Sequence, residues 1–136
     1  MTTVRALEEK HLASTVERHL KDVGVKYDVI PHDHTANSIS TAREAHVSSE
    51  MMAKGIVLKD ADGYVMAVMP ATYKFSENEM YDVLGRRLKL VDENELAQIF
   101  PDCDLGAVPP LADAYGLEAV WDDSLSYRGE IYFEGG

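Results

Sequence analysis

Lys54 opens an otherwise apolar run, Gly55-Ile56-Val57-Leu58. A lysine at the mouth of a buried strand can present its ammonium to a pocket, where it holds a phosphate or a developing negative charge. It can also be a plain strand-end lysine that reaches solvent. The segment Gly106-Ala107-Val108-Pro109-Pro110 joins a residue of free backbone to two with fixed φ and no N–H. Such a loop can hold its remaining N–H groups at one point, as a carbonyl or oxyanion site requires. Its plainer reading is a connection that follows a helix.

His32 and His34 flank Asp33 just after a strand-like run. In extended chain both imidazoles face one way, which suits a metal. No convincing set of further ligands accompanies them. Cys103 is the sole cysteine, and His11, His19 and His46 fall in helical segments. No metal site is therefore expected, and a pocket-lining or hydrogen-bonding role fits His32 better. Asp102 and Asp104 flank Cys103. Flanking carboxylates raise a thiol pKa, the wrong direction for a nucleophile. Gly-x-Ser-x-Gly is absent, as are the glycine-rich phosphate fingerprints, so neither a serine triad nor a nucleotide cofactor is expected. Arg86, Arg87 and Lys89 form the densest basic cluster; with Lys54, Lys59 and Lys74 they could line a path for a nucleic-acid backbone. Equally, they could be a solvated strand edge that discourages aggregation.

The elements that would position these residues follow from periodicity. Val4, Leu7, Leu12, Val16, Leu20 and Val23 recur at helical spacing, and Gly24 follows, which predicts a helix over 4–23. Val25 to Ile30 alternates as a strand. Residues 31–40 read as a polar loop, and Thr41 with Glu44 forms a capping box. Lys54–Lys59 and Tyr64–Met69 flank Asp60-Ala61-Asp62-Gly63 as a hairpin. Ser76 with Glu79, and Asp92 with Glu95, open two more helices, stopped by Gly85 and Pro101. Short strands are expected at Arg86–Val91, Leu117–Trp121 and Glu130–Phe133, with a loop at 105–115. Interleaved helices and strands with one tight hairpin predict an α+β fold: a mixed, mostly antiparallel sheet flanked by short helices, in one domain over residues 1–136.

The 136 residues are 46% hydrophobic, enough for one core. A lone cysteine and the lack of an N-terminal apolar run fit a cytoplasmic protein. The longest uncharged apolar run, Tyr64–Tyr73, is too short to cross a membrane as a helix. The net charge of -11 is uneven: residues 92–136 hold 11 Asp+Glu and one Arg, whereas residues 1–91 are nearly balanced. The first two-thirds could thus offer a basic face, while the acidic end is a solvated surface or a docking face.

The stretches Ala53-Lys54-Gly55-Ile56-Val57-Leu58, Met69-Pro70, Leu105-Gly106-Ala107-Val108-Pro109-Pro110, Val120-Trp121-Asp122-Asp123-Ser124-Leu125 and Phe133-Glu134-Gly135-Gly136 occur in an order that resembles the YbaK/ProX family of aminoacyl-tRNA deacylases, which includes the editing insertion domain of bacterial prolyl-tRNA synthetases. The resemblance implies hydrolysis of the ester between a wrong amino acid and a tRNA 3′ end, with a small residue such as alanine or cysteine on tRNA-Pro or a related tRNA as the expected substrate. It places the family's lysine on Lys54 and its Gly-x-x-x-Pro loop on Gly106 and Pro110, with backbone N–H groups around Gly106 and Ala107 at the substrate carbonyl. Asp122 becomes a pocket residue, and His32 with Asp33 matches a pair common after the family's first strand. Aminoacyl-tRNA is the implied partner, with a synthetase as a further one. A non-catalytic module of the same fold, sensing an amino acid or nucleotide or docking a synthetase, is the alternative. Gly55 stands where the family usually has threonine, and Ala107 and Pro109 stand where glycine and serine are common. Relatives commonly continue past the terminal glycines with another strand, whose lack would expose a sheet edge.

Overall fold

The computed structural model describes residues 3–8, 12–31, 42, 48–104, 106–127 and 130–136. Of the loop expected at 31–40, Pro31 instead ends the strand Tyr27–Pro31; residues 32–40 and the capping box at Thr41 lie outside the described residues. Strand β3 (Ala53–Asp60) and strand β4 (Gly63–Pro70) form the expected hairpin, in antiparallel register from Ala53↔Pro70 to Asp60↔Gly63. Its turn is set locally: the Asp60 carboxylate accepts the Asp62 N–H at 2.9 Å, and Gly63 takes φ 131°. Strand β5 (Lys89–Leu90) pairs antiparallel with β3, and β6 (Glu118–Trp121) pairs parallel with β4, giving the order β5-β3-β4-β6. The expected strand at 86–91 therefore contracts to two residues, because Leu88 turns into the core and Arg86 is held by side-chain bonds described below.

A second sheet is parallel throughout. Strand β1 (Thr3–Glu8) lies between β2 (Tyr27–Pro31) and β7 (Glu130–Glu134). This corrects the helix expected over 4–23: among the described residues of that span, Val4–Glu8 are strand and the helix is α1 (Ser14–Val23). Val4 and Leu7 carry helical spacing, but hydrogen-bonded ladders on both edges of β1 decide its conformation. A parallel bridge from Met52 to Tyr132 links the two sheets. The α+β expectation with a mixed sheet holds, and its longest ladder is the antiparallel one.

The helices end as their sequences dictate. Helix α2 (Glu77–Leu84) is capped by Ser76, whose hydroxyl accepts the Glu79 N–H, and Gly85 closes it at φ 68°. Helix α3 (Glu93–Ile99) is capped by Asp92 through the Glu95 N–H. Helix α1 buries Val16 and Leu20 and stops at Gly24, φ 72°. The four-stranded sheet is covered on both sides. Leu58, Val65, Ala67 and Leu88 meet Phe75, Met80 and Leu84 on one face. Ala53, Val57, Met66 and Val68 meet Phe100, Ala112 and Leu125 on the other, where the Phe100 and Tyr115 rings lie 4.5 Å apart. Truncating a ring such as Phe100 to alanine costs about 3–5 kcal/mol.

The start of α1 is capped from a distance. Its N-cap residue, Ala13, has no polar side chain, and the Asp102 carboxylate supplies the acceptor: the Thr15 N–H donates to it at 2.9 Å. The same carboxylate accepts the Tyr115 hydroxyl at 3.0 Å, and the Ala13 N–H donates to the Gly135 carbonyl at 2.8 Å. Burial works to raise Asp102, but the hydrogen bonds from Thr15 and Tyr115 outweigh it and hold the group at about 2 against an ordinary 3.8. A depressed carboxylate stabilises the fold above its ordinary pKa, and that contribution is lost as pH falls through the folded value. Asp102→Ala should therefore lower stability by about 0.5–2 kcal/mol at pH 7, the usual loss for a cap. In urea unfolding the gap to the parent should narrow between pH 4 and pH 2; a gap independent of pH would refute the assignment.

Candidate functional site

Lys54 is the second residue of β3 and pairs with Met69. Alternation places its side chain with Ile56 and Leu58, toward the face that α2 covers. After β4 the chain turns sharply: the Ala71 N–H donates to the Met52 carbonyl at 2.7 Å and the Tyr73 N–H to the Pro70 carbonyl at 3.0 Å. This turn sets the Tyr73 carbonyl over the strand mouth, where it accepts the Lys54 ammonium at 2.5 Å. Burial pulls Lys54 below the ordinary lysine pKa. A cation so placed is partly stripped of water yet keeps an acceptor.

Tyr73 belongs to the wall of a cleft of about 340 Å³ between the sheet and α2, with Met69, Met80, Val83, Trp121 and Asp122 among its other lining residues. Asp122 leaves the end of β6, where its N–H donates to the Val68 carbonyl at 2.8 Å. Its carboxylate accepts the Ser124 N–H at 2.9 Å and the Ser124 hydroxyl at 2.6 Å, fixing its rotamer. Asp122 thus lines the cleft, and Lys54 stands beside it, bonded to the backbone of the lining residue Tyr73.

The Gly106–Pro110 loop lies on the other side of β3. Gly106 takes φ 84°, and the Ala107 N–H donates to the Asp104 carbonyl at 3.1 Å. Pro109 and Pro110 are fully buried. A Cβ on Gly55 would stand 3.2 Å from the Pro110 Cα and 2.9 Å from the Met66 sulfur. The loop backbone therefore rests on the strand where Gly55 has no side chain. Neighbouring residues of β3 face opposite ways, one toward the cleft and one onto the loop. A second depression of about 130 Å³ includes Pro110, His19, Ala119 and Trp121, so Trp121 lines both hollows.

The basic cluster does not form one stripe. Arg86 grips Asp60 with two bonds, of 2.8 and 2.7 Å, and reaches Glu118 at 3.2 Å. The Arg86 guanidinium draws the Asp60 carboxyl down to about 2. Arg87 lies 4.2 Å from the centre of the Tyr81 ring, a cation–π contact, and Lys89 is exposed on β5. Lys59 is paired with Glu95, which also accepts the Tyr64 hydroxyl at 2.8 Å. Lys74 lines the cleft.

Cys103 is pushed up to about 12, first by burial and then by the neighbouring carboxylates. The expected direction holds, but its larger cause is burial. His32, Asp33 and His34 lie outside the described residues. Among the described residues no group of three His, Cys, Asp or Glu side chains is placed to hold a metal ion. Nor is any helix there long and apolar enough to cross a membrane. Sequence reasoning missed Trp121 and Tyr73. Each sits just past or at the end of a strand, where no periodicity marks it, and they stand out only as exposed rings, 49% and 44%, that line the same cleft.

A family model described as an aminoacyl-tRNA editing domain matches residues 32–136. No curated protein matches the chain in sequence. Among solved structures, a hypothetical protein aligns over 90% of this chain and 83% of its own, with TM-score 0.76 and 23% identity. A candidate trans-editing enzyme for prolyl-tRNA synthetase aligns over 93% and 83%, with TM-score 0.70 and 16% identity. A scaffold used for epitope backbone grafting aligns over 90% and 79%, with TM-score 0.71 and 17% identity. At these identities the likeness is one of fold.

The contact at Gly55 yields a test. In Gly55→Ala the Met66 thioether can swing aside, but the Pro110 backbone must move. Overpacking of this kind costs about 1–3 kcal/mol. Urea unfolding should show that loss, with a larger one for Gly55→Thr; an unchanged midpoint in both would mean that the loop is not seated on β3.

Proposed function

We propose, since the chain belongs to the aminoacyl-tRNA editing-domain family, that it is a hydrolase acting in trans on mischarged aminoacyl-tRNA. Its substrate is a small amino acid such as alanine or cysteine esterified to tRNA-Pro or a related tRNA. The observation that carries this reading is the extent of the family match, which spans Lys54, the Gly106–Pro110 loop and Asp122 together. The candidate trans-editing enzyme of the same fold supports the choice of tRNA.

The chemistry asks little of the protein. An aminoacyl ester is already activated, so catalysis reduces to orientation, stabilisation of the oxyanion and a well-placed attacking oxygen. Lys54 gives up its bond to the Tyr73 carbonyl to hold the terminal nucleotide and polarise the ester. With the ester seated at the mouth of β3, where the Pro110 backbone rests on Gly55 next to Lys54, the N–H groups at Gly106 and Ala107 serve the oxyanion from the loop side, and the turn that engages Ala107 with Asp104 loosens as the substrate enters. Asp122, with His32, Asp33 and Pro110, shapes the amino-acid pocket. The nucleophile is a water or a substrate hydroxyl: Cys103 is held protonated by burial and touches Tyr115 at 3.2 Å, so it does not attack. Arg87 and Lys89 are the cluster members left to meet tRNA phosphates, since Arg86 is held by two carboxylates. The protein works in the cytoplasm, where its substrate is made, alone or beside a synthetase.

A panel of mischarged tRNAs tests this. The chain should release alanine or cysteine from tRNA-Pro well above the uncatalysed rate. Lys54→Ala should slow release by about 10²–10³-fold, as loss of one oxyanion-stabilising donor does elsewhere. No release from any member, together with measurable binding of an amino acid, a nucleotide or a synthetase, would replace the enzyme by a binding module of the same fold.

A further inference from the structure

Trp121 is the chain's one tryptophan, and it ends β6, the outer strand of the four-stranded sheet. Half of it is in water, as is nearly half of Tyr73, and both line the same cleft. Leaving large rings exposed forfeits hydrophobic free energy. Two of them on one concave surface therefore mark a place where a flat partner completes the burial.

We propose that Trp121 and Tyr73 are a stacking platform for an unpaired nucleobase at the 3′ end of the tRNA, an inference that rests on the editing reading. The charge of the cleft selects the base over the phosphate. Lys74 lines it together with Glu79, Asp122 and Asp123, so carboxylates outnumber the cation there. A phosphate is repelled by such a wall, whereas the face of a base is uncharged and stacks on aromatic rings regardless of sequence. The carboxylates can accept hydrogen bonds from exocyclic amino groups and ribose hydroxyls. A volume of about 340 Å³ suits a single small ligand and not a duplex. Trp121 also lines the hollow that contains Pro110. A base resting on its indole therefore holds the attached ribose at the β6 edge of the sheet, from which both hollows open. Trp121 and Tyr73 are thus positioning residues: they hold the nucleotide whose ester reacts elsewhere.

Because the chain has no other tryptophan, emission excited at the red edge of its absorption band, where its seven tyrosines do not absorb, reports on Trp121 alone. The probe is the RNA trinucleotide CCA, compared with the same oligonucleotide bearing an abasic 3′ residue. CCA should quench the emission saturably, and the abasic form should bind roughly tenfold or more weakly, the usual loss for one stacked base. With a labelled CCA probe followed by anisotropy, Trp121→Ala and Tyr73→Leu should each lose a comparable factor, and Trp121→Phe should recover most of it. On mischarged tRNA, Trp121→Ala should raise KM and leave kcat nearly unchanged; circular dichroism checks that each variant is folded. Equal binding of intact and abasic oligonucleotides, or parental affinity in Trp121→Ala, would overturn the platform. Deacylation without any quenching removes the platform and leaves the editing reading standing. Quenching without deacylation of any mischarged tRNA supports the platform and removes the editing reading.

Discussion

The alternation of β3 governs where everything else can sit. The strand is hydrogen-bonded on both edges, by β4 and β5, and covered on both faces. A slip of one residue would turn Lys54 and Asp60 toward the Phe100 core and throw Val57 onto α2, so the register is strongly fixed. Even-numbered positions from 54 to 60 face the cleft side, and odd-numbered ones face the loop. Gly55 is the point where this two-residue period meets the buried double proline, and the missing Cβ is what lets loop and strand touch. The ammonium of Lys54 avoids full burial because the strand has only just begun and a carbonyl waits at its mouth.

The charge imbalance of the chain looks different once side chains have partners. Much of the acidic surplus of residues 92–136 is structural. Asp92 and Asp102 cap helix starts, Glu95 and Glu118 engage Lys59 and Arg86, and Asp122 fixes its own turn. The pairs at Arg86 and Lys59 remove two cations from any nucleic-acid face and staple the hairpin turn and the edge of β3 to neighbouring segments. The Lys59–Glu95 and Arg86–Glu118 pairs, each with one well-exposed partner, add little stability singly, whereas the two-pronged Arg86–Asp60 grip is partly buried; all three fix which cations remain available. In the cleft that is Lys74, with Lys54 beside it at the mouth of β3.

Local signals in the sequence carried the local structure. The Asp60–Gly63 turn, the caps at Ser76 and Asp92 and the glycine stops at Gly24 and Gly85 are each decided within a few residues, and each is where its residue types predict. What escaped is what depends on distant partners. Val4 and Leu7 carry helical spacing, yet Thr3–Glu8 is a strand because its pairing partners lie at 27–31 and 130–134. Asp102 reads as a mere neighbour of Cys103, and its role as the cap of α1 needs residues 87 positions away. Lys54 was legible as a strand-mouth cation, but its placement on the opposite face of β3 from the Gly106–Pro110 loop requires the register. The exposed rings of Trp121 and Tyr73 have no sequence periodicity at all.

The parallel pairing of β1 sets an order of events for a chain made from its N-terminus. Val4 finds Tyr27 early, but its other neighbour is Ile131. Until β7 leaves the ribosome, one edge of β1 stands open with its amides and carbonyls unmet, an adhesive surface for another chain. Pairing across nearly the whole sequence also makes the closing step slow, because loop entropy is lost before contact energy is gained. The hairpin around β3 has no such wait, since both its arms are adjacent in sequence. The hairpin floor of the cleft can thus form before β6 brings the wall that carries Trp121 and Asp122.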